Sequence, residues 1–224
     1  PRLADLVLPA PVFTVACELD YPMDDRGFVL PPHSGYPMLE TMNGRVVLAG
    51  EYCNLAAAWK DEGKLVHCGN SFSFLRTWTL LDWCRPAASA TFLQIIRIGD
   101  YAPPVFETFP EGDTLVFSAA NGDCTGSFLL PLPRLSDVCS DWRLSVEVLS
   151  YREQIVSNNF GEAVSTVMDT VVLTEFSAVT MRPFINGLDP GVYGIRYRAL
   201  DDCGNESEKV LALKIFDREV PQAN

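Results

Sequence analysis

Apolar and polar residues alternate over short runs along most of this chain, and turn residues break the runs about every 8–15 positions. No segment keeps a 3.6-residue apolar period over three turns, so the pattern predicts strands and no convincing helix. Residues 1–20 are extended, with Pro9 and Pro11 interrupting Leu3, Leu6, Leu8, Val12, Phe13 and Val15. Residues 21–44 hold four prolines and little periodicity, which predicts a long loop with room for one strand. Strands are then expected at Arg45–Ala49, Cys53–Asp61, Val66–Leu81 and Thr91–Ile98. In the third of these, Phe72, Phe74, Trp78 and Leu80 share a parity and are expected to face the core. Further strands are expected at Thr114–Ala119, Gly126–Leu130, Trp142–Val156 and Ala163–Phe176, the last with Val167, Val171 and Leu173 in partial alternation. Ser157-Asn-Asn-Phe-Gly161 reads as a hairpin loop between the two long strands, and Asn186-Gly-Leu-Asp-Pro-Gly191 as a double turn. A final inward strand would carry Val192, Tyr193, Ile195, Tyr197 and Ala199.

The pattern repeats. Aligned on the cysteine, Arg76-Thr-Trp-Thr-Leu-Leu-Asp-Trp-Cys84 matches Ile195-Arg-Tyr-Arg-Ala-Leu-Asp-Asp-Cys203 at Trp78/Tyr197, Leu81/Leu200 and Asp82/Asp201. After a short loop, Asp100 falls on Asp217 and Pro104 on Pro221. Two copies about 118 residues apart describe a tandem array. The expectation is an all-β protein of two tandem immunoglobulin-like β-sandwich domains, residues 1–100 and 101–224.

Composition narrows the setting. The 224 residues are 48% hydrophobic and 21% charged, enough for each half to bury a core. A formal charge of −12 argues against nucleic acid or an anionic membrane as partner. No apolar run is long enough to span a bilayer, so no membrane insertion is expected. The opening Pro-Arg-Leu-Ala-Asp is neither a signal peptide nor an initiator methionine, which suggests an internal piece of a longer precursor.

Seven cysteines, two histidines and no Cys-x-x-Cys fit structural disulfides, and hence an extracellular, cell-surface or secreted location. Spacing alone leaves connectivity open. The internal alignment and the fold analogy rank Cys53–Cys84 and Cys139–Cys203 first, then Cys17–Cys68, with Cys124 left over.

Catalytic chemistry is not indicated. His67 and Cys68 are adjacent on an expected strand and would point to opposite faces. His33 lies in a proline-rich loop with no acidic or thiol neighbour, and Cys53, Cys68 and Cys84 are spaced too widely for a usual zinc site. There is no phosphate-cradling glycine loop and no Gly-x-Ser-x-Gly. The expectation is a non-enzyme.

Calcium is the one cofactor worth weighing. Asp20, Asp24 and Asp25 form one oxygen-rich loop; Asp201, Asp202, Asn205 and Glu206 form another; Asp100 and Asp217 sit where module meets linker. A hard cation needs six or more converging oxygens, and a solvated acidic turn is the plainer alternative. Asn205-Glu-Ser207 is a formal N-glycosylation sequon, and Asp113-Thr-Leu115 and Asp169-Thr-Val171 resemble a bacterial O-glycosylation acceptor at Thr114 and Thr170. Trp59, Trp83 and Trp142 are candidates for a carbohydrate- or protein-binding platform, with core or disulfide packing as the plainer alternative.

Asn186-Gly-Leu-Asp-Pro-Gly-Val-Tyr-Gly-Ile-Arg-Tyr-Arg-Ala-Leu-Asp-Asp-Cys-Gly-Asn205, a strand, and Asp217…Pro221 together resemble the end of HYR-like immunoglobulin-fold repeats. Cys53-Asn, Arg76-Thr-Trp-Thr-Leu-Leu-Asp-Trp-Cys84 and Gln94-Ile-Ile-Arg-Ile-Gly-Asp100 are similar to related repeats of very large bacterial surface proteins exported by the type IX route. The family usually has another cysteine shortly after Cys-Gly-Asn; here Val210 occupies that region. The resemblance implies a spacer, adhesin or filament module without catalytic residues. Expected partners are neighbouring repeats, with residues 1–15 able to add as a strand to a neighbour's sheet edge, and a cell-surface glycan or protein.

Overall fold

A computed structural model describes residues 1–85, 88–109, 112, 114–119, 124–157 and 163–217; within it, 153–157 and 163–168 are described by backbone alone. The expected loop Ser157–Gly161 (beyond its first residue), Asp113, Pro221 and the side chain of Val167 lie outside the described residues. The chain is all-β and divides into two units: Pro1–Tyr101 with Val138–Ser140, and Ala102–Asp137 with Asp141–Asn224.

In the first unit, β1 (Leu6–Val7), β3 (Met38–Thr41) and β4 (Gly44–Val47) form a three-stranded sheet in the order β1-β3-β4. The second sheet runs β2-β8-β7-β6-β5, from β2 (Val12–Ala16), β5 (Glu51–Tyr52), β6 (Leu55–Val66), β7 (Phe72–Asp82) and β8 (Ser89–Gly99). β2 lies parallel to β8 and the other pairs are antiparallel. Pro9 and Pro11 fall between β1 and β2, where the chain leaves one sheet for the other and needs no ladder donor. Leu39, Leu48, Leu55, Ala57, Trp78 and Leu80 form one buried cluster; Phe28, Val29, Phe72, Phe74, Ile96 and Ile98 form another. Every second residue of β7, from Phe72 to Asp82, is buried.

The 21–44 region is more ordered than a loop. One helical turn, α1 (Pro31–Ser34), has proline at its start, which presets φ, and ends at Gly35 with φ 92°. A single turn is too short to leave a 3.6-residue signature in sequence. Val66 closes β6 rather than opening β7, and Cys53 lies in the β5–β6 turn at φ 53° rather than opening a strand.

In the second unit, β10 (Thr114–Ser118), β13 (Trp142–Ser157), β14 (Ala163–Phe176), β16 (Gly191–Asp201) and β17 (Glu206–Phe216) form a sheet ordered β10-β17-β16-β13-β14. β10 is parallel to β17. Opposite lie two antiparallel pairs: β11 (Gly126–Leu129) with β15 (Phe184–Leu188), and β9 (Val105–Thr108) with β12 (Arg134–Ser136). Phe128, Leu130 and Ile185 pack with Leu144, Val146, Val148, Ile195, Tyr197, Leu211, Leu213 and Ile215 in one core, which makes the unit a sandwich. Ile195, Tyr197 and Ala199 face inward, but Val192 has the opposite parity and is exposed. Asn186-Gly187 lies inside β15, with Gly187 at φ 76°, so only the Asp189–Pro190 half of the expected double turn separates strands.

Candidate functional site

The duplicated Asp-x-Cys motif builds the same device at the end of β7 and of β16. Asp82, 3% exposed, accepts bonds at Oδ1 from the Cys84 backbone N–H (3.1 Å) and from Asn54 Nδ2 (2.5 Å). Asp201, 1% exposed, accepts from the N–H groups of Cys203 and Asn205 (both 2.8 Å) at Oδ1 and from Asn205 Nδ2 (2.7 Å) at Oδ2. A carboxylate two residues before the cysteine thus satisfies turn donors that the ladder no longer serves, and fixes where the strand stops.

This geometry bears on the calcium candidates. Both carboxylate oxygens of Asp201 and the amide of Asn205 are used inside their own turn, Glu206 pairs with Arg198 (3.0 Å), and Asp202 is exposed. Asp24 accepts from the N–H groups of Phe28 and Arg26 and pairs with the Arg26 guanidinium; the Phe28 N–H above all holds its carboxyl below the usual range. Asp100, 7% exposed, accepts from Ser140 Oγ at 2.6 Å, and Asp217 is exposed just past β17.

A disulfide joins Cys17 and Cys139, with Cα atoms 5.9 Å apart and a sequence separation of 122. The expected pairings Cys17–Cys68 and Cys139–Cys203 are therefore replaced, although Cys68 and Cys203 are each disulfide-bonded. Cys53, Cys84 and Cys124 carry free, exposed thiols, so the expected Cys53–Cys84 bond is not present. Internal alignment paired cysteines within each copy; it could not foresee that residues 138–140 leave their own unit's sequence and join the first. Around Cys139 the fit is close: Asn70 N–H donates to the Cys139 carbonyl (2.7 Å), and Gly69, at φ 51°, has no room for a Cβ, which would lie 2.4 Å from Ser140 Cβ.

A buried polar network in the first unit went unread in sequence. Arg76 is 0% exposed and grips Asp61 with two bonds, Nε to Oδ1 (2.7 Å) and Nη2 to Oδ2 (2.8 Å). It also donates to Ser34 Oγ (2.6 Å) and the Val29 carbonyl, tying α1 to the sheet. Gln94, also 0% exposed, donates to the carbonyls of Ala10 and Ser34 and accepts from Trp78 Nε1. The signal was available: Arg76 shares the inward parity of Phe72, Phe74, Trp78 and Leu80, and an inward arginine demands a buried acceptor. In the second unit Ile195 takes the aligned position, while Tyr197 takes that of Trp78. The Tyr197 hydroxyl donates to the Pro131 carbonyl at 2.8 Å, and burial raises its ionisation well above the ordinary tyrosine value.

The remaining candidates separate. Trp59 is 39% exposed with its ring against Trp78 and Tyr36, Trp83 is exposed in the turn after β7, and Trp142 lies in the other unit. Trp142 lines an open cleft of about 480 Å³ with Leu132, Pro133 and Val179. Thr114 and Thr170 are exposed on β10 and β14. Asn205 and Ser207 of the sequon are both engaged internally, Ser207 Oγ with the Pro104 carbonyl. His67 bonds Ser73 Oγ (2.9 Å). No helix among the described residues is long and apolar enough to cross a membrane.

No family model matches the chain, and no curated protein matches it. Solved structures with some likeness include mouse clustered PcdhgC3 EC1-3 (18% identity, TM-score 0.26, covering 67% of this chain and 44% of that one). Others are PcdhgB3 EC1-4 (12%, TM-score 0.30, 93% and 49%) and the human Desmocollin-1 ectodomain (13%, TM-score 0.25, 97% and 42%). This chain spans less than half the length of each, and scores this low carry no argument about function.

Proposed function

We propose that this chain is a non-enzymatic extracellular structural module, two β-sandwich units in a chain braced by disulfides, within a longer cell-surface fibre, adhesin or filament of the HYR-like kind. The observation that carries the reading is the Cys17–Cys139 bridge, together with the bonded state of Cys68 and Cys203: such bonds persist in oxidising compartments and serve to hold chains under load. The working contacts would be with neighbouring repeats. Strand addition by residues 1–15 would require exchange, because β1 and β2 are seated in their own unit against β3 and β8. Protease treatment of intact cells, with blotting for this segment, tests the location: digestion outside with the Cys17–Cys139 bond intact is expected, and a protected, fully reduced chain would refute it.

A second reading, binding of a cell-surface glycan or protein, is favoured by the half-exposed Trp142 ring over its 480 Å³ cleft. Glycan-array binding that is lost in Trp142→Ala would support it; no binding by the native chain would count against it.

A further inference from the structure

The sheet of the second unit leaves a corner of β13 uncovered. β14 ends at Phe176, opposite Val146, and the chain then turns at Ala178, a non-glycine residue at φ 50°. Its return bond to β13 runs from the Val179 N–H to the Leu144 carbonyl at 2.8 Å. Trp142 and Arg143, which open β13, lie past the end of β14 and are exposed. Two clefts of about 480 and 390 Å³ flank this corner and share Arg143, Leu144 and Ala178. Trp142 lines the larger, with Leu132, Pro133 and Val179. Arg198 lines the smaller and is neutralised by Glu206 at 3.0 Å and Glu208 at 3.7 Å. Arg143 is different: among the described residues its guanidinium has neither a carboxylate nor a hydrogen-bond partner, and the Trp142 indole N–H meets no acceptor.

An aromatic plate and a lone guanidinium on one apolar cleft match a sugar that carries a carboxylate. A pyranose ring offers an apolar face of C–H groups to an indole, and hydroxyls that accept from the indole N–H. A carboxylate on that ring takes two parallel bonds from an arginine fork. At a net charge of −12 the chain as a whole repels anions, so one is held only where a cation stands without a carboxylate of its own. Arg143 meets that condition at the rim of the cleft. About 480 Å³ falls within the roughly 300–1,000 Å³ of small-ligand sites, which suits a short stretch of saccharide and not a folded partner. We propose, building on the glycan reading of the Trp142 cleft, that this corner binds a hexuronic-acid residue of an acidic polysaccharide. The sugar ring lies on Trp142 and its carboxylate on Arg143.

The test is calorimetric titration of the full chain with short oligomers of galacturonate, mannuronate and hyaluronan, each beside its carboxyl-reduced neutral form, and with poly-glutamate. The expected result is binding of at least one uronate oligomer, weakened about ten- to a hundredfold by carboxyl reduction and equally by Arg143→Gln. Arg143→Lys, which keeps the charge but loses the fork, should fall between. Trp142→Ala should abolish binding, and Arg97→Gln, a charge-matched change of an exposed β8 residue in the first unit, should bind as the native chain does. Arg143 is exposed and has no internal partner, so the Arg143→Gln chain should keep the native denaturant midpoint. Neutral forms bound as tightly as the uronates, full affinity in Arg143→Gln, or equal binding of poly-glutamate would overturn the proposal. If neutral glycans bind and only Trp142→Ala abolishes it, the acidic-sugar assignment falls and the Trp142 reading stands. No glycan bound by the native chain would remove both.

Discussion

Removing the Asp61 carboxylate is the sharpest perturbation of the first unit. Asp61→Ala strips Arg76 of both charge-assisted bonds and leaves a guanidinium with no solvent exposure whose remaining acceptors among the described residues are Ser34 Oγ and the Val29 carbonyl. Each lost bond is worth about 1.5–3 kcal/mol, and breaking a buried pair from one side costs about 3–5 kcal/mol in all. For a domain of this size that is a large part of the usual ~5–15 kcal/mol. The double variant Asp61→Leu with Arg76→Met removes both charges and should recover to within about 1–2 kcal/mol of the native chain, since apolar replacement of a whole buried pair is often neutral. The assay is urea denaturation followed by tryptophan fluorescence in a Trp142→Phe background, where Trp59, Trp78 and Trp83 all report on the first unit. A single-variant loss below about 1 kcal/mol, or a double variant as unstable as the sum of the singles, would refute the reasoning.

Other consequences follow from the same geometry. Asp201→Ala orphans two turn N–H groups and the Asn205 amide, and should cost about 2–3 kcal/mol in denaturant melts, whereas the exposed neighbour Asp202→Ala should change little. Gly69→Ala drives a Cβ into Ser140 and the Cys139 carbonyl, so refolding in a glutathione buffer should give much less Cys17–Cys139 bond; Gly63→Ala, with open space around it, should not impair that bond. Tyr197 is neutral and its folded ionisation is raised by burial, so the stability it lends is complete below the ordinary tyrosine value near 10 and is lost as pH rises toward the folded value. Second-unit unfolding should therefore steepen in alkali, and Tyr197→Phe should flatten that dependence at a cost of about 1 kcal/mol at neutral pH.

Local pattern made much of the fold legible. The alternation through Phe72, Phe74, Trp78 and Leu80 placed β7 in the core with the right face inward. The same rule hid Arg76, because a charge at an inward position looks like a break in the pattern until Asp61, directly across the ladder, is seen to complete it. Val192 shows the converse: an apolar residue at an outward position joins the stripe by composition and leaves it by parity. α1 escaped because one turn has no period. The Cys17–Cys139 bond was beyond reach of the alignment, since partners separated by 122 residues are set by where a three-residue segment docks and not by the repeat. The turn aspartates were visible as a motif, but their role needed coordinates, because an Asp offered to a cation and an Asp folded onto its own backbone read alike.

Pulling single molecules from their ends tests the mechanical account most directly. With the bridge closed, the 122 residues between Cys17 and Cys139 cannot extend, which withholds about 400 Å at roughly 3.4 Å per residue. The account predicts that the fully unfolded contour is shorter by at least about that length without reductant, and reaches full length once a thiol is added. Equal contour lengths in the two conditions would contradict it.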